Sequence, residues 1–237
     1  MNEPGASDAV RYELVDGVGV ITIDDGRVNA FGYDTVRALE TSFARAEAEA
    51  VAVVIAGRPG ILSAGFDLAE VRRSMAHARK IIAHGGAFFV QVLSCPKPVV
   101  IACTGHAVAG GAVLLMVGDV RIGSHGNFRI GLNEVDIGIP LPDFVIKVGQ
   151  YRFDRRLCER ALLGEMFGPD GAVELGLLDR VVPEMQVIEV AVATARKLAA
   201  RSPAAYAATK TAARAEVVTA DWTVPESVDD LELVTDE

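Results

Sequence analysis

The run Pro98-Val99-Val100-Ile101-Ala102-Cys103 leads directly into Thr104-Gly105-His106-Ala107-Val108-Ala109-Gly110-Gly111, and then into Ala112-Val113-Leu114-Leu115-Met116-Val117-Gly118-Asp119. The first run is short, β-branched, opened by Pro and apolar without alternation. That is the pattern of a strand buried on both faces. The last run reads as the start of a buried helix. A strand, a turn of small residues and a helix bring bare backbone N–H groups up to a ligand oxygen. Gly110 and Gly111 carry no Cβ to block that approach. The first helical turn adds unpaired N–H groups and the positive end of a dipole. Such a place stabilises developing negative charge. A Gly-Gly turn also serves packing alone, and the residues by themselves leave both readings open.

The rest of the chain repeats strand and helix around this stretch. Residues 11–15 and 18–24 read as two strands about Asp16-Gly17, a hairpin signal. Apolar residues at helical spacing (Val36, Leu39, Phe43, Ala46, Ala50) predict a helix over 33–50. A continuous apolar strand at 51–56 follows, then the turn cluster Gly57-Arg58-Pro59-Gly60. Residues 61–68 lead into a helical stretch, and 75–93 predict a further helix with Gly85-Gly86 as its expected break. After Asp119, short strands are expected at 120–123 and 127–130, a Gly/Pro-rich loop at 131–142 and helices at 142–151 and 154–163. Gly168-Pro169-Asp170 starts a short helix, and 177–182 is a strand. Ala-rich helices close the pattern at 184–200 and 203–218, the second opened by Ser202-Pro203.

This alternation implies crossovers, a largely parallel arrangement and an α/β class. No linker divides the core. The expected division is 1–183 as core and 184–237 as a helical segment whose apolar faces bury against another subunit. Residues 1–8 and the acidic stretch 221–237 are expected to be loosely held. A net charge of −9 argues against a nucleic-acid surface, while leaving room for a local basic patch toward a phosphorylated ligand. No apolar run reaches the ~18–20 residues that span a bilayer, so no membrane partner is expected. Cys95, Cys103 and Cys158 have no metal spacing, and their odd number fits a reducing, cytoplasmic setting. No metal is expected.

Two stretches carry a resemblance. Ser63-Ala64-Gly65-Phe66-Asp67-Leu68 resembles the S/A-x-G-x-D-L signature of the crotonase (enoyl-CoA hydratase/isomerase) superfamily. Gly105-His106-Ala107-Val108-Ala109-Gly110-Gly111 resembles its N/x-G-x-A-x-G-G-G signature, with Asp119 where that family has its C/S-D. Pro96 to Ala102, Glu134-Val135-Asp136-Ile137-Gly138 and Gly176 to Val182 are similar as well, so the likeness covers residues 10 to 218. It implies a spiral of repeated ββα units and a C-terminal helical part that packs as a homotrimer or hexamer. It also implies an acyl-CoA thioester as substrate, with coenzyme A entering only as part of that substrate. Carried over by position, the N–H groups of Phe66 and Gly110 hold the thioester oxygen. Ala64, Gly65, Gly111 and Val113 stand beside the substrate. Lys210 reaches a CoA phosphate or stays solvated.

Proton chemistry beside a thioester calls for a carboxylate whose pKa is raised toward neutrality. The hydratases of that family use two glutamates. The first falls on Val113, which moves no proton; the second falls on Glu134. Glu134 is therefore the candidate catalytic carboxylate, against the alternative of a loop acid paired with Arg129 or Lys147. Asp136 is read as structural, Asp143 as a helix cap or a second acid, His106 as a loop histidine and Asp67 as a cap. The chain lacks the family's usual F-x-E-K-R-x-P-x-F tail. One carboxylate suits an isomerase that shuttles a proton between C2 and C4. The alternatives are a weak or altered hydratase, thioester hydrolysis or decarboxylation, and a CoA-ester-binding protein without catalysis.

Overall fold

The fold is described from a computed structural model that covers residues 9–219. The termini expected to be loosely held, 1–8 and 221–237, lie outside the described residues.

Strands β1 (Val10–Val15) and β2 (Val18–Ile23) form the expected hairpin. Its two turn residues both have positive φ, Asp16 at 50° and Gly17 at 80°, the requirement of a tight two-residue hairpin. Helix α1 (Tyr33–Glu49) buries Val36, Leu39, Phe43 and Ala46, the predicted stripe. Then come β3 (Ala52–Gly57), β4 (Gly60–Ser63), α2 (Leu68–Val71) and α3 (Met75–Ser94). They are followed by β5 (Val99–Cys103), β6 (Gly105–Val108) and α4 (Gly110–Val117), and then by β7 (Val120–Ser124), β8 (Ile130–Gly131) and α5 (Asp143–Arg152). Helices α6 (Cys158–Leu162) and α7 (Pro169–Leu175), strand β9 (Arg180–Val182), and helices α8 (Val187–Ala199) and α9 (Pro203–Val218) complete the order.

The strands sort into a six-stranded sheet, β1-β2-β3-β5-β7-β9, and a three-stranded sheet, β4-β6-β8. Beyond the β1–β2 hairpin every pairing is parallel. After the β1–β2 hairpin and α1, each turn of the chain from β3 to α5 places one strand in the large sheet, the next in the small sheet, and then a helix. That is the spiral of ββα units. Strands β3 and β5 lie in the middle and are buried throughout, which is why their sequences do not alternate.

Two elements differ from the sequence expectation. Residues 105–108, read as part of a turn, form β6, parallel to both β4 and β8. A Cβ at Gly105 would stand 1.9 Å from the Gly60 carbonyl carbon, so the glycine marks a close backbone approach between strands. Helix α3 runs unbroken through Gly85-Gly86. A Cβ at Gly85 would stand 2.4 Å from the Phe66 ring; the glycine makes room for a neighbour and does not end the helix.

Of the C-terminal helices expected to turn their apolar faces to another subunit, α8 packs that face on its own chain, while most alanines of α9 stay exposed. Val187, Ala191 and Ala195 of α8 join Val18, Val54, Val100 and Ile122 in a cluster on one face of the large sheet. Helix α9 is tied down by charge. The buried Asp119 carboxylate accepts from Lys210 Nζ at 2.8 Å and from the Val99 N–H at 2.7 Å, and lies 2.6 Å from Arg214 Nη2. Arg152 donates to the Met116 carbonyl at 2.8 Å, and Arg214 to that of Gly118 at 3.5 Å. Two arginines thus answer orphan carbonyls at the C-terminal end of α4.

Candidate active site

Site geometry begins at the buried Asn29. Its side-chain amide donates to the carbonyls of Ile23, Ile61 and Leu62 at 2.9, 3.3 and 3.1 Å. Its own carbonyl accepts from Ser63 Oγ at 2.7 Å, and that hydroxyl accepts from the Gly65 N–H at 3.1 Å. The loop after β4 is fixed by this network, which sequence reading missed because Asn29 lies far from the motif it supports. Phe31 then bridges to Phe66: the Phe31 N–H donates to the Gly65 carbonyl at 2.7 Å, and the Asp67 N–H to the Phe31 carbonyl at 3.3 Å. Residues 65 and 67 spend their polar groups on Phe31, so the N–H of Phe66 points to the opposite side.

Gly110 adjoins this segment. A Cβ at Gly65 would stand 3.0 Å from the Gly110 nitrogen and 2.8 Å from Ala109 Cβ, and Gly65 has a φ of +93°. Only glycine lets these two loops come so close. The first intrahelical bond of α4 runs from the Val113 N–H to the Ala109 carbonyl, leaving the Gly110 N–H without an acceptor inside the helix. Ala109 itself holds φ 51° and ψ −121°. This is a strained conformation for a residue with a side chain, and it turns the chain sharply from β6 into α4. Replacing Ala109 by Gly is expected to raise stability by about 1 kcal/mol, read as a higher melting temperature, since the glycine takes this conformation without strain.

Glu134 approaches from the loop after β8. A 3₁₀ turn, Val135–Ile137, follows it, and the Ile137 and Ile139 N–H groups donate back to its carbonyl at 3.2 and 2.8 Å. Its Oε2 is buried without a hydrogen-bond partner. Burial pushes its pKa up to about 7, against the lowering effect of the Glu134 and Asn133 backbone N–H groups. Lys147 does not pair with it; that lysine binds Asp143 at 2.7 Å.

Ala64, Phe66, Gly110, Val113 and Glu134 line one cavity of about 150 Å³. Gly65 lies beneath it and holds the two loops together. Two sequence assignments are corrected. Gly111 does not face the cavity: its Cβ position is 2.3 Å from the Ser63 carbonyl oxygen, so this glycine serves the packing of α4 on β4. Lys210 does not reach outward to a ligand phosphate. Its side chain is 7% exposed, and its ammonium donates inward to Asp119 and to the Lys97 carbonyl. Asp136 is exposed, turned away from Glu134 by the 3₁₀ turn. His106 Nδ1 accepts from the Arg129 N–H at 3.0 Å. Asp67 caps α2, accepting from the Ala69 N–H at 2.8 Å, as expected. Asn133, whose Oδ1 is also buried and unpartnered, was not foreseen. Neither were Ile82, Gly86 and Phe89 on α3 or the prolines Pro140 and Pro142, which complete the walls.

Phe66, Gly110 and a carboxylate whose pKa is raised to about 7 line one mostly apolar cavity. Such a set holds negative charge on a carbonyl oxygen while a base removes a proton from the neighbouring carbon.

Comparison with known proteins gives the family and the fold. The family model for enoyl-CoA hydratase/isomerase matches residues 13–229. The human mitochondrial enoyl-CoA delta isomerase 1 is 32% identical over 177 residues, 72% of this chain and 59% of that protein. A probable enoyl-CoA hydratase of Mycobacterium tuberculosis is 33% identical over 164 residues, 68% of this chain and 62% of that protein. The chain thus spans about three-fifths of the length of these relatives. Among solved structures, an enoyl-CoA hydratase/isomerase family protein from Pseudomonas syringae superposes with a TM-score of 0.87 at 38% identity, covering 90% of this chain and 94% of that one. Human mitochondrial delta3-delta2-enoyl-CoA isomerase gives 0.84 at 30% identity, covering 89% and 85%.

Proposed function

The chain belongs to the enoyl-CoA hydratase/isomerase family, and from that premise we propose that it is an enoyl-CoA isomerase, moving a double bond between C3 and C2 of an acyl-CoA thioester. The observation that carries this reading is the pairing of Val113 with Glu134. Both line the cavity, and only one of them can move a proton.

In the proposed reaction the thioester oxygen accepts from the N–H groups of Phe66 and Gly110. Glu134 Oε2 takes a proton from C2 of a 3-enoyl-CoA. The electron pair of that C–H bond spreads over the dienolate, with its charge on the thioester oxygen. The protonated Glu134 returns its proton at C4, the C3–C4 double bond becomes C2–C3, and no proton is gained or lost overall. A single carboxylate completes this cycle. Hydration instead requires a water to be held and deprotonated while C2 is protonated, and the apolar Val113 offers that water no grip.

Incubation with 3-enoyl-CoA and 2-enoyl-CoA in deuterated water tests the proposal. Rapid isomerisation with deuterium entering the shifted positions, and slow hydration, are expected. Val113→Glu is expected to raise hydration, at a stability cost from placing a carboxylate in an apolar wall. Rapid hydration of 2-enoyl-CoA by the unaltered enzyme would overturn the isomerase assignment.

A further inference from the structure

We propose that the enzyme is built for short acyl groups of about six carbons, and that Gly86 on α3 sets this limit. The proposal rests on reading the cavity as the acyl site. The cavity of about 150 Å³ includes Phe66, Gly110 and Glu134, so the thioester carbon and C2 to C4 must lie within it. A cavity of about that size holds one six-carbon ring. Little room remains past C4.

The walls say why. Ile82, Gly86 and Phe89 fall on one face of α3 at intervals of four and three residues, and all three line the cavity. Gly86, which has no side chain, stands between Ile82 and Phe89 on that face. Opposite, Ile139, Pro140 and Pro142 come from the loop that carries Glu134. Pro140 and Pro142 have φ fixed by their rings, which stiffens this wall. Phe66 closes a third side. Its ring is seated against Gly85, where a Cβ would stand 2.4 Å from it, so it has nowhere to withdraw. A glycine inside a helix is destabilising relative to alanine. Helix α3 carries two in succession, one to seat the oxyanion residue's ring and one to open the chamber.

Titration with saturated acyl-CoA thioesters from butanoyl to hexadecanoyl, followed by calorimetry, tests this without turnover. Affinity is expected to rise to about six carbons and then level or fall. Gly86→Val places a branched side chain on that face of α3. It is expected to weaken hexanoyl-CoA and octanoyl-CoA at least tenfold while leaving butanoyl-CoA nearly unchanged. Ile82→Ala, which keeps the helix, is expected to shift the optimum toward longer chains. An affinity that climbs steadily to hexadecanoyl-CoA overturns the proposal, as does a Gly86→Val variant that weakens every length alike. Should Gly86→Val not fold, the unaltered enzyme and Ile82→Ala still decide. A normal length profile without isomerisation would refute the isomerase reading alone, and no binding at any length would refute both.

Discussion

Glu134→Gln is expected to lose isomerisation by on the order of a thousandfold while gaining stability above pH 7. The two effects have one cause. Burial raises the Glu134 pKa to about 7, outweighing the lowering by the Glu134 and Asn133 backbone N–H groups. That makes it a competent base near neutrality, and also a group the fold holds charged at a cost. The unfolded chain ionises it near its ordinary value of 4.5. Between about 4.5 and 7 the folded state holds more protons than the unfolded one, so stability falls as pH rises through this window and levels above it. A tenfold difference in proton affinity between the two states is worth about 1.4 kcal/mol, so the whole effect is roughly 3 kcal/mol. Glutamine is never charged and escapes this penalty. Denaturant melts of both proteins at pH 5 and pH 8 measure the difference, which should be small at pH 5 and nearly complete at pH 8. Activity should follow the ionised form, with kcat/KM rising through about pH 7 and then levelling. A glutamine variant that still isomerises, or a rate independent of pH across this range, removes Glu134 from the mechanism.

Gly110→Pro is expected to reduce kcat by about a hundredfold to a thousandfold, the value of one oxyanion donor. The position suits such a test. Gly110 is the first residue of α4, where proline's fixed φ and missing N–H are tolerated by the helix itself. What is lost is the N–H proposed to hold the thioester oxygen. Gly110→Ala is the control: it keeps the N–H, and its Cβ would stand 3.2 Å from the Phe31 ring, a contact relieved by a small ring shift. Comparable activity in both variants would place the charge-stabilising donor elsewhere.

The sequence made the parallel α/β arrangement legible because strands buried on both faces read as unbroken apolar runs, as at Val99–Cys103. The spiral and the position of Glu134 were legible only through the family resemblance; the residues around Glu134 taken alone read as well as a paired loop acid. Other features had no linear signal. Strand β6 was hidden by its own glycine, needed for contact with a strand 45 residues earlier. Gly85-Gly86 looked like a break because nothing local shows that Phe66 leans there. Lys210 looked solvated because its partner Asp119 lies 91 residues away. The walls of the cavity come from α2, α3, α5 and a loop, and each residue taken alone is ordinary core.

The Gly65–Gly110 contact has a consequence for descent. The two donors proposed to hold the carbonyl oxygen belong to the main chain, so they pass unchanged through most substitutions around them. Val113, Asn133 and Gly86 can each be exchanged without touching either donor. A lineage carrying this fold can therefore try a new acid, a new water contact or a longer chamber one residue at a time, starting each trial from a backbone that already activates the bond beside it.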